Sequence, residues 1–153
     1  MRNGQPRVAD RIISALAAWG IDHLFGVGGA NIEDIYDAAQ STGGGVRAVV
    51  AKHEFSAVTM AEGYHRTSGI PGVVMATSGA DAMNLVPGSC RGPRRPHPAA
   101  CPDQSAAPGL EGRGAFQDSS GRVGAFDAVE LFRPISSFCA RADDPQDIDK
   151  LLT

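Results

Sequence analysis

A carboxylate closes an apolar run at Glu54, where VVAKHE leads into FSAVTMAEGY. Charged side chains are rarely buried unless something pairs or uses them. A Glu at the end of a strand and the start of a helix is therefore a candidate for proton chemistry in a dry pocket. Its other reading is an acid held at a helix N-terminus by the helix dipole. Three further groups lie at turns or in loops. Thr77, Ser78 and Gly79 follow an apolar run, and Asn84 can cap or tie that turn. Gln117 stands in GAFQD beside Phe116, either as a site residue or as a surface-loop amide. Gly28 and Gly29 make the turn after the first apolar strand. His23, His53 and His65 lack metal-ligand spacing, so solvated or helix-capping roles suit them better. Three cysteines, an odd number without zinc-type spacing, favour free thiols over a disulfide framework or a metal site.

Something must position these groups, and the composition allows one domain to do it. The chain has 153 residues, 42% of them hydrophobic and 20% charged, as in globular chains that bury a substantial core. A net charge of -3 implies no polyanion-binding surface, so nucleic acid is not an expected partner. No apolar run is long enough to cross a bilayer. The opening MRNGQPRVAD lacks the apolar stretch of a secretory signal, so a cytoplasmic location is expected.

The periodicity alternates between helix and strand. Val8, Ile12, Leu16 and Trp19 share helical spacing, and Gly20 is a natural stop. Asp22–Val27 reads as a strand. Asn31 is expected to cap a helix that buries Ile32, Ile35, Tyr36 and Ala39. Val46–Val50 is a second strand. Phe55–Arg66 is a helix with Phe55, Val58, Met60 and Ala61 as core candidates. Gly72–Ala76 is a third strand, and Ala80–Val86 a short helix ended by Pro87-Gly88. Near-continuous apolar strands alternating with helices predict an α/β fold, an open parallel sheet with helices on both faces. Later, Asp127–Phe132 reads as a helix, Ile135–Ala140 as a strand, and Asp144-Pro145 as the start of a helix bearing Ile148, Leu151 and Leu152.

The pattern fails over Ser89–Pro108, SCRGPRRPHPAACPDQSAAP, which is dense in proline and arginine. Proline cannot donate to a ladder, so a central strand is expected to be disrupted here. A structureless stretch of this length is unusual inside a compact domain. Two origins fit it: a genuine insertion, or a compensated pair of frameshifts.

Taken in order, FGVGGANIEDIYDA, KHEFSAVTMAEGYHRTSG, GVVMATSGADAMNL and GAFQD resemble the N-terminal pyrimidine-binding domain of thiamine-diphosphate-dependent enzymes, above all the acetolactate-synthase-like ones. The resemblance covers nearly the whole chain apart from Ser89–Pro108. It implies roles for the groups singled out above. Glu54 matches the family glutamate that hydrogen-bonds N1' of the cofactor's aminopyrimidine and starts removal of the thiazolium proton, so that the cofactor can attack a 2-keto acid. Val49, Val50 and Phe55 would supply its apolar surroundings. Gln117 matches a catalytic-site glutamine, with Phe116 lining the substrate pocket. Gly29, Ala30, Thr77, Ser78, Gly79 and Asn84 match cofactor-binding turns. Two positions depart from the family: Gly28 replaces a usual proline, and Asp81 a usual glycine.

By the same resemblance the cofactor is thiamine diphosphate, and Mg²⁺ enters only through a diphosphate-binding domain that this sequence lacks. Residues 1–153 then form one pyrimidine-binding domain, inactive alone, completed by a homo-oligomer or by a separate diphosphate-domain chain. The chain is either a fragment of a larger synthase or a separately encoded subunit of a two-chain 2-keto-acid decarboxylase. A folded, non-catalytic dimerisation module is a further alternative. A Rossmann dinucleotide-binding domain is another, since Gly26 and Gly28 follow a strand; but Asn31 stands where the third glycine of that fingerprint belongs.

Overall fold

The structure, a computed structural model, describes residues 6–41, 43, 45–89 and 110–152. Three strands, β1 (His23–Gly26), β2 (Arg47–Val50) and β3 (Val73–Met75), form a parallel sheet in the order β2-β1-β3. Leu24 lies opposite Ala48 and Val73, and Gly26 opposite Val50 and Met75. The expected disruption over Ser89–Pro108 lies outside the described residues except at Ser89.

Alternation along the strands builds two cores, because successive side chains leave a strand on opposite faces. Leu24, Val73 and Met75 point to one face, where they meet Ala9, Ile13 and Leu16 of α1 (Val8–Ala18) and Ile35, Ala38 and Ala39 of α2 (Glu33–Ser41). Phe25 and Val74 point to the other, against Ala57, Val58 and Ala61 of α3 (Glu54–Ser68) and Leu85. Each fully buried Leu, Ile or Val contributes about 1.5–3 kcal/mol, so both faces of the central strand are held. The expected open sheet covered on both faces is what the chain forms.

Helix α1 ends as expected, with Gly20 at a φ of 76°. Trp19, expected on the buried face, is instead the C-cap and is 53% exposed. Its indole lies past the last helical turn, where the stripe no longer faces the sheet. Arg7 caps the other end: its backbone N–H donates to Asp10 at 2.9 Å, and its guanidinium reaches Asp37 of α2 at 2.7 Å.

Helix α3 starts at Glu54, one residue before the expected Phe55. His53 is its N-cap, the Nδ1 accepting from the Phe55 N–H at 3.2 Å. Its buried stripe is Glu54, Ala57, Val58, Ala61 and Glu62. Phe55 and Met60, expected in the core, fall off this stripe and are exposed. The helix turns the two acids inward in their place.

Past β3, Ala80–Met83 (α4) and Val86–Ser89 (α5) replace one expected helix. Pro87 lies in the first turn of α5, where its missing N–H removes no helical bond, so it does not end the segment. Beyond the undescribed stretch, α6 (Ala128–Phe132) is capped by Asp127, which accepts from the Glu130 N–H at 3.1 Å. The expected strand Ile135–Ala140 does not form. Arg133–Ile135 is a three-ten turn containing Pro134, and Phe138 is exposed. Among the described residues that segment has no ladder partner, and apolar alternation alone does not make a strand. The last helix, α7 (Asp147–Leu151), begins just past Pro145, with the Gln146 N–H donating to Asp144 Oδ1 at 2.8 Å.

Candidate functional site

Open parallel sheets take ligands at the carboxyl ends of their strands, where neighbouring connections leave to opposite faces. Here β1 leads into α2 on one face, while β2 leads into α3 on the other, where Leu85 beyond β3 also packs. The three loops that follow the strands carry most of the residues singled out in the sequence.

Glu54 ends the loop after β2. It is 4% exposed, although it opens a helix. Asn84, between α4 and α5, donates from Nδ2 to Glu54 Oε2 at 3.0 Å. His53 Nδ1 stands 3.9 Å from the same oxygen. The enclosure differs from the expected one, because Val50 is 66% exposed and Phe55 is exposed too. Burial of the carboxylate comes instead from its place on the inward stripe of α3.

Thr77 and Ser78, both buried, follow β3. The Thr77 hydroxyl donates to Asp81 Oδ2. The departure at Asp81 therefore ties the turn to the first residues of α4, and the carboxylate has a partner. Asn31 donates from Nδ2 to Ser78 Oγ at 3.2 Å. Asn31 is expected to cap a helix, but it lies within the three-ten turn Ala30–Ile32, and its amide bridges the loops after β1 and β3. No spacing rule separates an Asn that caps from one that reaches across the sheet. Gly29 packs against the Thr77 methyl, leaving no room for a side chain, whereas Ala30 is exposed.

Gly79 has a φ of 74°, and a Cβ there would lie 2.8 Å from Gln117 Cβ. Gln117 itself has a φ of 60°, the left-handed region that non-glycine residues seldom occupy. The two residues wall a cavity of about 340 Å³, with Ala80, Met83, Asp118 and Phe126. Glu54 does not line that cavity. The predicted residues thus fall into two adjoining groups, Glu54 with Asn84 and Gly79 with Gln117, joined through α4. Phe116, expected in the substrate pocket, is 88% exposed and outside the cavity wall. Asp118, next to Gln117, braces the loop. It accepts from the Gly112 N–H at 2.6 Å and the Ser120 N–H at 2.9 Å. Hydrogen bonds from Ser120 and Gly112 hold its carboxyl below the usual range. Buried Ser119, whose carbonyl accepts from Arg141 at 2.9 Å, is a second brace that no sequence motif marked.

Residues 6–90 match the family described as thiamine pyrophosphate enzyme, N-terminal TPP binding domain. The chain belongs to this family. Its cofactor is thiamine diphosphate. Among curated proteins, the acetolactate synthase large subunit of Buchnera aphidicola subsp. Schizaphis graminum is 37% identical over 127 residues, 83% of this chain and 21% of that protein. The acetolactate synthase of Bacillus subtilis is 32% identical over 148 residues, 96% of this chain and 24% of its own length. The isozyme 3 large subunit of Escherichia coli is 33% identical over 144 residues, 94% and 24%. The chain therefore spans about a fifth to a quarter of the length of these relatives. Membership removes the dinucleotide-binding alternative. Among the described residues, no group of three or more His, Cys, Asp or Glu side chains is placed to hold a metal ion, and no helix is long and apolar enough to cross a membrane.

Proposed function

We propose that this chain supplies the aminopyrimidine half of a thiamine diphosphate site in an acetolactate-synthase-like enzyme that joins or decarboxylates 2-keto acids. Glu54 holds the pyrimidine through its ring nitrogen and exchanges a proton with it. Thr77, Ser78, Gly79, Asn84, Gly29 and Ala30 shape the turns around the cofactor, and Gln117 faces the reacting groups. The diphosphate and its Mg²⁺ belong to a domain outside residues 1–153, so this chain alone does not turn over. When bound, the cofactor supplies the carbon nucleophile and the electron sink that keto-acid chemistry requires.

The observation that carries this reading is the buried Glu54 carboxylate at the carboxyl end of the sheet, hydrogen-bonded on Oε2 by Asn84. Among the described residues no hydrogen bond is made to Oε1, which leaves that oxygen for a ring nitrogen. The fit is to the uncharged heterocycle; among the described residues no basic cluster for a diphosphate converges on Glu54. Exposed Val50, Phe55, Met60 and Met83 beside these loops support a partner surface, either a second copy of the chain or a diphosphate-binding chain. We place the protein in the cytoplasm, where its free Cys139 thiol stays reduced.

The test is binding and turnover in mixtures. Wild-type chain combined with a diphosphate-binding domain from an acetolactate synthase should bind thiamine diphosphate and consume pyruvate. Glu54→Gln should lower turnover by at least about a hundredfold, the usual scale for losing a general acid-base group. Turnover within a few-fold of wild type in that variant would refute the assignment. Activity only with a diphosphate-binding half encoded as its own chain would identify a two-chain decarboxylase.

A further inference from the structure

We infer that Asn84 is a positioning residue for Glu54: its carboxamide holds Oε2 of the buried carboxylate at 3.0 Å and so presents Oε1 to the ligand. The inference rests on the role proposed for Glu54.

The geometry gives the amide one task. Asn84 is the C-cap of α4, its N–H bonded to the Ala80 carbonyl at 3.0 Å. Ala82, two residues before it, and Leu85, next to it, are 0% and 2% exposed and anchor this turn in the core. Glu54 is fixed from the other direction by the inward stripe of α3. The hydrogen bond therefore joins two rigid elements across the end of β1. A carboxylate has about four acceptor sites, and an amide N–H on one oxygen restricts rotation of the group without occupying the other. Donation to an anionic oxygen also stabilises its charge. An amide keeps its donor at every pH, and His53 Nδ1 lies farther off at 3.9 Å. Asn84 acts through Glu54 and need not touch the ligand. Asn31, by contrast, donates to Ser78 Oγ at 3.2 Å.

The test uses the full 153-residue chain with carbon-labelled glutamate, the Glu54 carboxyl resonance assigned by its loss in Glu54→Gln, and thiamine as the probe. In wild type, thiamine should shift that resonance. Asn84→Ala should move the resonance of the free chain and weaken thiamine binding roughly tenfold or more, the scale of a hydrogen bond to a charged group. Asn84→Asp places two carboxylates together, which cannot both ionise cheaply. Its melting temperature and thiamine affinity should both rise on acidification, when one shared proton restores a donor, whereas Asn84→Ala should lack that dependence. Melting curves confirm that each variant is folded at the pH of measurement. Wild-type affinity with an unmoved Glu54 resonance in Asn84→Ala overturns the inference, as does an Asn84→Asp chain that ignores pH. If Glu54→Gln binds thiamine as wild type does, or wild type ignores millimolar thiamine, the proposed role of Glu54 falls. Asn84 is then a structural tie, and a resonance change in Asn84→Ala identifies that case.

Discussion

At the scale of single residues, the fold spends backbone strain where the candidate site is. Gly79 and Gln117 both hold positive φ, and Gln117 occupies the space that a side chain at Gly79 would need. Gly79→Ala adds a methyl 2.8 Å from Gln117 Cβ in a conformation that L-residues disfavour. It should lose about 1–3 kcal/mol of unfolding free energy in urea titration. The Asp22–Tyr64 pair sits at the other end of the sheet. The Tyr64 hydroxyl donates to Asp22 at 2.6 Å, and His23 Nδ1 lies 3.0 Å from the same oxygen. The Tyr64 hydrogen bond, then His23, holds the Asp22 carboxyl below its usual value, and the Asp22 bond pushes the Tyr64 phenol up. A lowered acid contributes stability above its unfolded value of about 3.9 and loses it as pH falls through the folded value. A raised phenol contributes below about pH 10 and loses it above. Tyr64→Phe should therefore melt at a lower temperature than wild type at neutral pH, and the gap should close on acidification to below about pH 4.

At the scale of elements, burial follows the stripe that meets the sheet, more than hydrophobicity along the chain. Ile13 of α1 is 1% exposed and lies between the sheet and α2. Ile13→Ala should cost about 2–5 kcal/mol by denaturant melts. Trp19→Ala, at the exposed C-cap, should change stability by less than about 0.5 kcal/mol. The contrast explains what the sequence could disclose. The parallel sheet and its two faces were legible, because strand runs such as VVMA and helix spacing such as Ile13 and Leu16 are each dictated by one geometric period. The inward Glu54 was legible as a chemical oddity at a strand end. Phe55 and Met60 were misplaced because the true stripe of α3 includes two acids, which a hydrophobic pattern skips. The split of α4 from α5 at Asn84-Leu85, and the irregular path of Ile135–Ala140, depend on tertiary partners that no local propensity encodes. The Asn84–Glu54 and Asn31–Ser78 bridges span residues far apart in the chain, so neither spacing nor residue type could reveal them.

At the scale of the whole molecule, the last element described is fastened to the first. Arg11 of α1 donates to Asp149 of α7 at 2.6 Å and to the Pro145 carbonyl at 2.5 Å. Arg11→Ala should speed amide exchange in α7 while leaving that of β1 and β3 near wild type, since exchange reports local opening. Both acids on the inward stripe of α3 bear on the charge of the whole. Glu62 is paired with Arg66 one turn on, whereas among the described residues Glu54 has the neutral amide of Asn84 as its hydrogen-bond partner. The stripe thus ends in an ion pair toward its far end and in a carboxyl held by a neutral amide at its mouth. An uncharged ring entering that mouth feels little of a field that salt screens, so its capture should change little as ionic strength rises.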